Sequence, residues 1–119
     1  MTTNDHRGRH LAAVPEEGGV PLVTVIMGAY NAQRFIGEAL TSLMRQTWQN
    51  LEIIVIDDGS QDATAELARV YERMALPGRR VIVQSQENTG VAGARNRALR
   101  MASGEFVTFL DADDAFMPA

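Results

Sequence analysis

The sequence predicts an α/β protein with an open, mostly parallel sheet, built as a Rossmann-like βαβαβαβ alternation. Four short apolar runs each end in a cluster of glycine or polar residues, a pattern typical of buried parallel strands. Three stretches with apolar residues at helical spacing separate these runs. Each stretch is long enough for a right-handed crossover, so we expect parallel strands with helices on both faces of the sheet.

The composition is that of one globular domain without cysteine or lysine. The chain has 119 residues, of which 45% are hydrophobic, and this is sufficient for a single core. The lack of cysteine excludes disulfides, thiolate zinc sites and cysteine nucleophiles. All 11 basic residues are arginine, which excludes a P-loop lysine and Schiff-base chemistry. The net charge of -4 argues against a nucleic-acid partner.

The first 19 residues are predicted to form a flexible leader, and the folded domain is expected to span residues 20–119. The leader carries charges, Pro15 and the pair Gly18-Gly19 without periodicity. It has no signal-peptide core, and no apolar run reaches the roughly 18 residues of a membrane span. The expected location is therefore the cytoplasm, or the inner membrane surface if an acceptor lies there.

The first strand and helix are predicted at residues 22–27 and 34–46. The strand is a continuous apolar run with one threonine, and the helix has one apolar stripe. Between them lies the turn sequence Gly28-Ala29-Tyr30-Asn31.

The second strand is predicted at residues 51–56, interrupted only by Glu52. It ends in Asp57-Asp58-Gly59-Ser60, and Ser60 or Asp62 is expected to cap the next helix, which covers about residues 63–74.

The third strand is predicted at residues 81–83, followed by a polar loop to Gly90 and a helix at about residues 91–102. This helix is rich in glycine and alanine, which let its backbone approach the sheet or a ligand closely. The fourth strand, residues 106–110, is apolar on both faces, as expected of a strand inside a parallel sheet.

The fourth strand ends in the acidic residues Asp111, Asp113 and Asp114. If the chain stays extended, side chains two positions apart point the same way, so Asp111 and Asp113 converge. Carboxylate oxygens are hard ligands that suit Mg²⁺ or Mn²⁺. A solvated acidic loop explains the same residues equally well.

The turns after the four strands are expected to share one edge of the sheet, where open parallel sheets bind ligands. Asp57 and Asp58 follow the second strand, where a carboxylate is suited to a ribose hydroxyl or to the N–H face of a base, and a turn with a helix cap is the favoured alternative. Tyr30 is suited to stacking on a base or to packing at the surface. Arg95 and Arg97 are candidates for phosphate contacts, although an exposed helix face is favoured for Arg97 and Arg100. The absence of a G-x-G-x-x-G sequence after the first strand disfavours a nicotinamide-dinucleotide site.

Five motifs in this order resemble the family 2 glycosyltransferases of the GT-A fold, over about residues 20–119. The motifs are Val23 to Asn31, Ala39 to Leu43 with Gln46-Thr47, Glu52 to Ser60 with Asp62, Glu87 to Gly90 with Ala94-Arg95-Asn96, and Leu110 to Asp114. Five motifs in sequence are more specific than any one of them. The resemblance implies a metal-dependent transferase with a nucleotide-diphosphate sugar as donor and a glycan, lipid or protein as acceptor.

The resemblance also implies roles for individual residues. Gly28, Ala29 and Tyr30 would line the base pocket, and Asp57 would hydrogen-bond the base. Asp111 would lie near the ribose, and Asp113 would bind a divalent cation, Mg²⁺ or Mn²⁺, that bridges the diphosphate.

The chain departs from the family pattern in two places. Many relatives have proline where Gly28 stands, and family members continue past Ala119 into the acceptor-binding half that carries the general base. We therefore expect a donor-binding portion, truncated after the metal motif, with no identifiable catalytic base. The alternatives are a non-catalytic nucleotide-binding or interaction module and a phosphoacceptor signalling domain, although such signalling domains use a lysine that this chain lacks.

Overall fold

The structure is a computed structural model that describes residues 3–4, 10–11, 20–74, 76–88 and 90–111. At residues 3–4, 10–11, 91 and 111 it describes the backbone alone. Strands β1 (Thr3–Asn4) and β2 (His10–Leu11) form a short antiparallel pair within the predicted leader. The flexibility of the leader stays a prediction, and its other residues lie outside the described part of the chain.

The predicted βαβαβαβ order is confirmed from Val20 onward. The elements are β3 (Val23–Ala29), α1 (Ile36–Met44), β4 (Leu51–Asp57), α2 (Thr64–Glu72), β5 (Arg79–Ser85), α3 (Val91–Met101) and β6 (Phe106–Asp111). The third strand is two residues longer at each end than predicted. Its polar ends are held because parallel pairing with β4 runs from Leu51↔Arg79 to Asp57↔Ser85.

The main sheet has four parallel strands in the order β5-β4-β3-β6. The chain moves outward from β3 through β4 to β5 and then returns to the other side of β3. Right-handed crossovers in opposite directions place their helices on opposite faces. The direction of strand order therefore reverses at β3, which is where open α/β sheets bind ligands.

The two faces of the sheet have different helix packing. One cluster of buried side chains joins β3, β4 and β5 to α1 and includes Ala68 of α2. The other joins Ile26, Ile54 and Ile56 to α3, which contributes alanines. Ala94 and Ala98 lie four residues apart on α3 and are buried, so this helix sits close to the sheet as its small residues predict.

Strand β6 does not lie inside the sheet, as its two apolar faces had indicated. Among the described strands it pairs only with β3 and forms an edge. Its Phe106 side chain is 59% exposed, and Val107 and Phe109 are also exposed. The prediction that β6 is buried inside the sheet was therefore wrong. Apolar residues on both faces of a strand do not determine its position in the strand order of the sheet.

A buried glutamate anchors the connection that leads into β6. Glu52 of β4 accepts a hydrogen bond from the Thr24 hydroxyl at 2.9 Å and from the Ser103 N–H at 2.8 Å. Gly104 N–H donates in turn to the Thr24 hydroxyl at 2.9 Å. The one polar residue in the second apolar run therefore fixes where the last strand starts.

Candidate functional site

The register of the sheet brings the predicted turns together at one edge. Gly28 of β3 lies beside Ile56 of β4 on one side and beside Asp111 of β6 on the other. Ala29 lies beside Asp57. The carboxyl ends of these three neighbouring strands therefore meet, as the sequence predicted.

A cavity of about 340 Å³ opens at this edge. The three residues that the resemblance implies for the base pocket, Gly28, Ala29 and Tyr30, line it. The other lining residues come from β3, β4 and β6, from the segments that follow β3 and β4, and from α3: Ile26, Asn31, Ala32, Phe35, Ile56, Asp58, Ala94, Arg95, Phe109 and Leu110. The volume lies within the range of small-ligand pockets, and the mainly apolar wall with a few polar groups is typical of them.

Tyr30 has the exposure that a stacking platform requires. Tyr30 is 51% exposed at the cavity wall, so part of its ring surface is accessible to a ligand. An aromatic ring in this state can take up a flat apolar ligand on its face.

The two adjacent aspartates at the end of β4 have different surroundings. Asp57 is 4% exposed, and its carboxylate accepts a hydrogen bond from the Ser60 N–H at 3.3 Å. It is not one of the cavity-lining residues, whereas Asp58 is. Successive side chains of a strand point to opposite faces, so only one of two adjacent acids can face the cavity. This alternation was visible in the sequence, but nothing there identified which acid it would be.

Asp58 joins the strand to the start of α3. One carboxylate oxygen accepts a hydrogen bond from the Gln86 side-chain amide at 3.0 Å, and the other accepts one from the Gly90 N–H at 3.0 Å. Gly90 precedes α3 with φ of 87°, a conformation that favours glycine. The sequence predicted Asp57 or Asp58 for this position and the resemblance implied Asp57, whereas Asp58 is the acid that lines the cavity.

Arg95 is the arginine among the cavity-lining residues. Its guanidinium carbon lies 4.9 Å from the centre of the Phe109 ring, a cation–π contact between α3 and β6. The first turn of α3 also presents backbone N–H groups and the positive end of the helix dipole. This side of the cavity therefore favours an anionic ligand group.

The loops before α1 and α2 are held to each other by reciprocal hydrogen bonds. Asn31 N–H donates to the Ser60 hydroxyl at 2.8 Å, and Gln61 N–H donates to the Asn31 side-chain oxygen at 2.9 Å. Gln33 and Ala63 repeat the arrangement: Gln33 N–H donates to Asp62 at 3.2 Å, and Ala63 N–H donates to the Gln33 side-chain oxygen at 3.0 Å. We call residues 31–33 and 60–64 the loop clasp.

Of the two predicted caps for the second helix, Asp62 contacts its first turn, whereas Ser60 bonds Asn31 across the clasp. Asp62 accepts hydrogen bonds from the Thr64 N–H at 3.0 Å and from the Thr64 hydroxyl. The hydroxyl bond in particular lowers the pKa of Asp62 below its ordinary value of 3.8. The clasp fixes the backbone that carries Tyr30 and Asn31 into the cavity.

The predicted metal site cannot be placed from the described residues. The backbone of Asp111 ends β6 beside Gly28, at the cavity, while Asp113 and Asp114 lie outside the described residues. In the described part of the chain, no three His, Asp or Glu side chains form a cluster that could hold a metal ion. The metal role of Asp113 stays a prediction.

None of the helices in the described ranges has both the length and the apolar character needed to cross a membrane.

The chain matches the family model "Glycosyl transferase family 2" over residues 24–119. Glycosyltransferase GlyA of Streptococcus pneumoniae is 40% identical over 92 residues, which cover 77% of this chain and 13% of GlyA. The chain thus spans a small part of this relative's length.

Solved structures are also similar to this chain in fold and sequence. The mannosyltransferase PcManGT from Pyrobaculum calidifontis, in complex with GDP-Man and Mn²⁺, matches with a TM-score of 0.75 and 34% identity, over 86% of this chain and 30% of that one. S. aureus TarS 1-349 in complex with UDP-GlcNAc matches with a TM-score of 0.67 and 35% identity, over 78% of this chain and 28% of that one.

Proposed function

Because the chain belongs to glycosyl transferase family 2, we propose that its cavity is the donor site of an enzyme that transfers a sugar from a nucleotide diphosphate to an acceptor. One observation carries the proposal: an apolar cavity at the switch point of the sheet is lined by an exposed tyrosine, an acid and an arginine. These are the groups that a base, its polar edge and a phosphate require. The neighbours PcManGT and TarS bind GDP-Man and UDP-GlcNAc, which supports a donor of this class.

In this proposal the base occupies the apolar part of the cavity. Tyr30 stacks on it, and the backbone at Gly28 and Ala29 borders it closely because Gly28 has no side chain. Asp58 accepts a hydrogen bond from the base, since it lines the cavity. Asp57, the residue first predicted for that bond, contributes by holding Ser60 and the turn.

The phosphates lie toward α3 and β6. Arg95 and the N–H groups at the start of α3 offer donors and positive charge on that side. Asp111 ends β6 beside Gly28, which is a suitable position for a ribose hydroxyl contact.

The residue types at the end of β6 fit a divalent cation, because carboxylates are the ligands that Mg²⁺ and Mn²⁺ prefer. We assign the cation to Asp113. Like charges about 4 Å apart cost on the order of 4 kcal/mol at an effective dielectric constant of 20, so acids beside a diphosphate need a counter-charge. When bound, the cation would supply that charge and stabilise the leaving nucleoside diphosphate.

The acceptor, whether a glycan, a lipid or a protein, is not assigned to any of the described residues. We also propose no general base among them. The catalytic role of this chain is accordingly the binding and orientation of the donor.

The chain's two tyrosines provide a matched test of the cavity. Tyr30→Ala should weaken binding of UDP or GDP about tenfold in calorimetry with Mn²⁺, because base–aromatic stacking contributes about 1–3 kcal/mol. Tyr71→Phe is the control, since Tyr71 hydrogen-bonds Thr41 and Gly37 away from the cavity. Equal affinities of the Tyr30 variant and the control would reject this cavity as the base site.

A further inference from the structure

A chain of side-chain hydrogen bonds leads from the middle of α3 to the cavity. An Arg97 Nη1–H donates to the Gln86 side-chain oxygen at 3.3 Å, and the Gln86 Nε2–H donates to Asp58 Oδ1 at 3.0 Å. Asp58 lines the cavity, whereas Gln86 and Arg97 are not among its lining residues. The hydrogen bonds of these two residues therefore reach the cavity through Asp58.

The chemistry of the three groups fixes the direction of this chain. A guanidinium only donates hydrogen bonds, so Arg97 can bond only to the side-chain oxygen of Gln86. The NH₂ group of Gln86 is therefore the group that donates to Asp58. Arg97 is held in turn by the end of β5, where it donates to the Gln84 side-chain oxygen at 3.0 Å. Gln86 N–H donates to the Asp57 carbonyl at 2.9 Å, so the glutamine is tied at both ends.

The carboxylate of Asp58 is consequently held from two sides. Gln86 contacts one oxygen and the Gly90 N–H contacts the other, and the residue is 7% exposed. An ionised carboxylate accepts about four hydrogen bonds in all. These two hydrogen bonds, one to each oxygen, therefore fix the plane of the carboxylate at the cavity wall.

We infer that Gln86 and Arg97 are positioning residues that hold Asp58 as an acceptor and so make the cavity selective for a base with a ring N–H. The inference rests on the proposed function, which places the base in this cavity. Uracil and guanine present a ring N–H on the pairing edge, whereas cytosine presents a ring nitrogen lone pair there. A fixed carboxylate favours the former and repels the latter.

Calorimetry with UDP, GDP and CDP in the presence of MnCl₂ tests this selectivity. We compare the wild type with Gln86→Ala and with Arg97→Lys. The lysine variant keeps the positive charge but lacks the planar guanidinium group with its fixed set of N–H donors. The control is Arg100→Ala, an exposed arginine one turn further along α3. The ratio of the CDP Kd to the Kd of the preferred nucleotide should fall about tenfold in Gln86→Ala, fall less in Arg97→Lys, and stay constant in Arg100→Ala.

The outcomes separate a positioning role from a structural one. A uniform loss of affinity for all three nucleotides, or an unchanged ratio in both variants, overturns the inference. If Gln86→Ala does not unfold in a cooperative thermal transition, the ratio of Kd values measured for Arg97→Lys decides between a positioning role and a structural one. A wild type that binds CDP as tightly as both UDP and GDP overturns the inference alone, whereas a wild type that binds no nucleotide overturns the proposed function with it.

Discussion

Gly28 and Gly104 have different surroundings in the same sheet. A Cβ atom added at Gly104 would lie 2.7 Å from the backbone nitrogen of Thr24 and 2.9 Å from the Leu22 carbonyl oxygen, so the start of β6 needs glycine for close approach. A Cβ atom added at Gly28 would meet nothing within 4 Å. The fold itself therefore leaves room for a side chain at position 28, and a methyl group there would lie at the cavity wall.

Gly28→Ala should weaken nucleotide binding without destabilising the fold. The added methyl group projects into open space at the cavity wall, where it competes with a ligand rather than with the protein. We expect a loss of affinity of about tenfold and an unchanged urea midpoint. Gly37→Ala on α1 is the control, since its Cβ would make only an ordinary contact of 3.7 Å with Tyr71. A marked drop in stability of Gly28→Ala, or full affinity, would contradict this explanation.

At the scale of the elements, the loop clasp holds the starts of α1 and α2 together. Neither helix has a side-chain hydrogen bond from its own N-cap residue. Backbone N–H groups before α1 are instead satisfied by side chains from the loop before α2, and the reverse also holds. The two loops therefore order each other, and the loop before α1 lines the cavity with Asn31 and Ala32.

Thr64→Val should destabilise the protein by about 1–3 kcal/mol, the usual cost of leaving a buried donor unpaired. The fully buried Thr64 hydroxyl accepts the Ala32 N–H at 2.8 Å, and valine keeps the shape but removes the acceptor. Urea unfolding measures the loss. Thr64→Ser, which retains the hydroxyl, should recover most of it, and equal stability of the valine and serine variants would show that the clasp is not held this way.

Asp62 should make the clasp sensitive to acid. Its pKa is lowered by the Thr64 hydroxyl, so it contributes stability above the ordinary value of 3.8 and loses that contribution as the pH falls through its lower folded-state pKa. The stability difference between the wild type and Asp62→Asn should therefore be largest near neutral pH and shrink in acid. Urea midpoints at several pH values between about 6 and about 3 measure it, and a difference independent of pH would contradict the assignment.

At the scale of the whole molecule, the strand order explains why the site lies where it does. Strands β3 and β6 are neighbours in space but far apart in the chain, and α1 and α3 lie on opposite faces of the sheet. The cavity lies at the carboxyl ends of β3, β4 and β6, where the direction of the strand order reverses. Of the exposed apolar side chains of β6, Phe109 lines this site.

Local patterns predicted the elements well, because each strand and helix has its own periodicity. They also located Gly28, Ala29 and Tyr30, since residues that follow a parallel strand must lie at its carboxyl edge. They did not determine the edge position of β6, nor the face taken by Asp57 or Asp58. The loop clasp could not be predicted from the sequence either. Its hydrogen bonds join residues about thirty positions apart and depend on loop geometry that no periodicity encodes.

Calorimetry of UDP-sugar and GDP-sugar donors with the wild type and Asp113→Asn, with Mn²⁺ and with EDTA, tests the proposed donor site. At least one donor should bind in the presence of the cation, and this binding should be lost in EDTA and in Asp113→Asn, because the diphosphate otherwise faces uncompensated acids. Binding that is independent of the cation, or no binding of any donor by the wild type, would contradict the proposal.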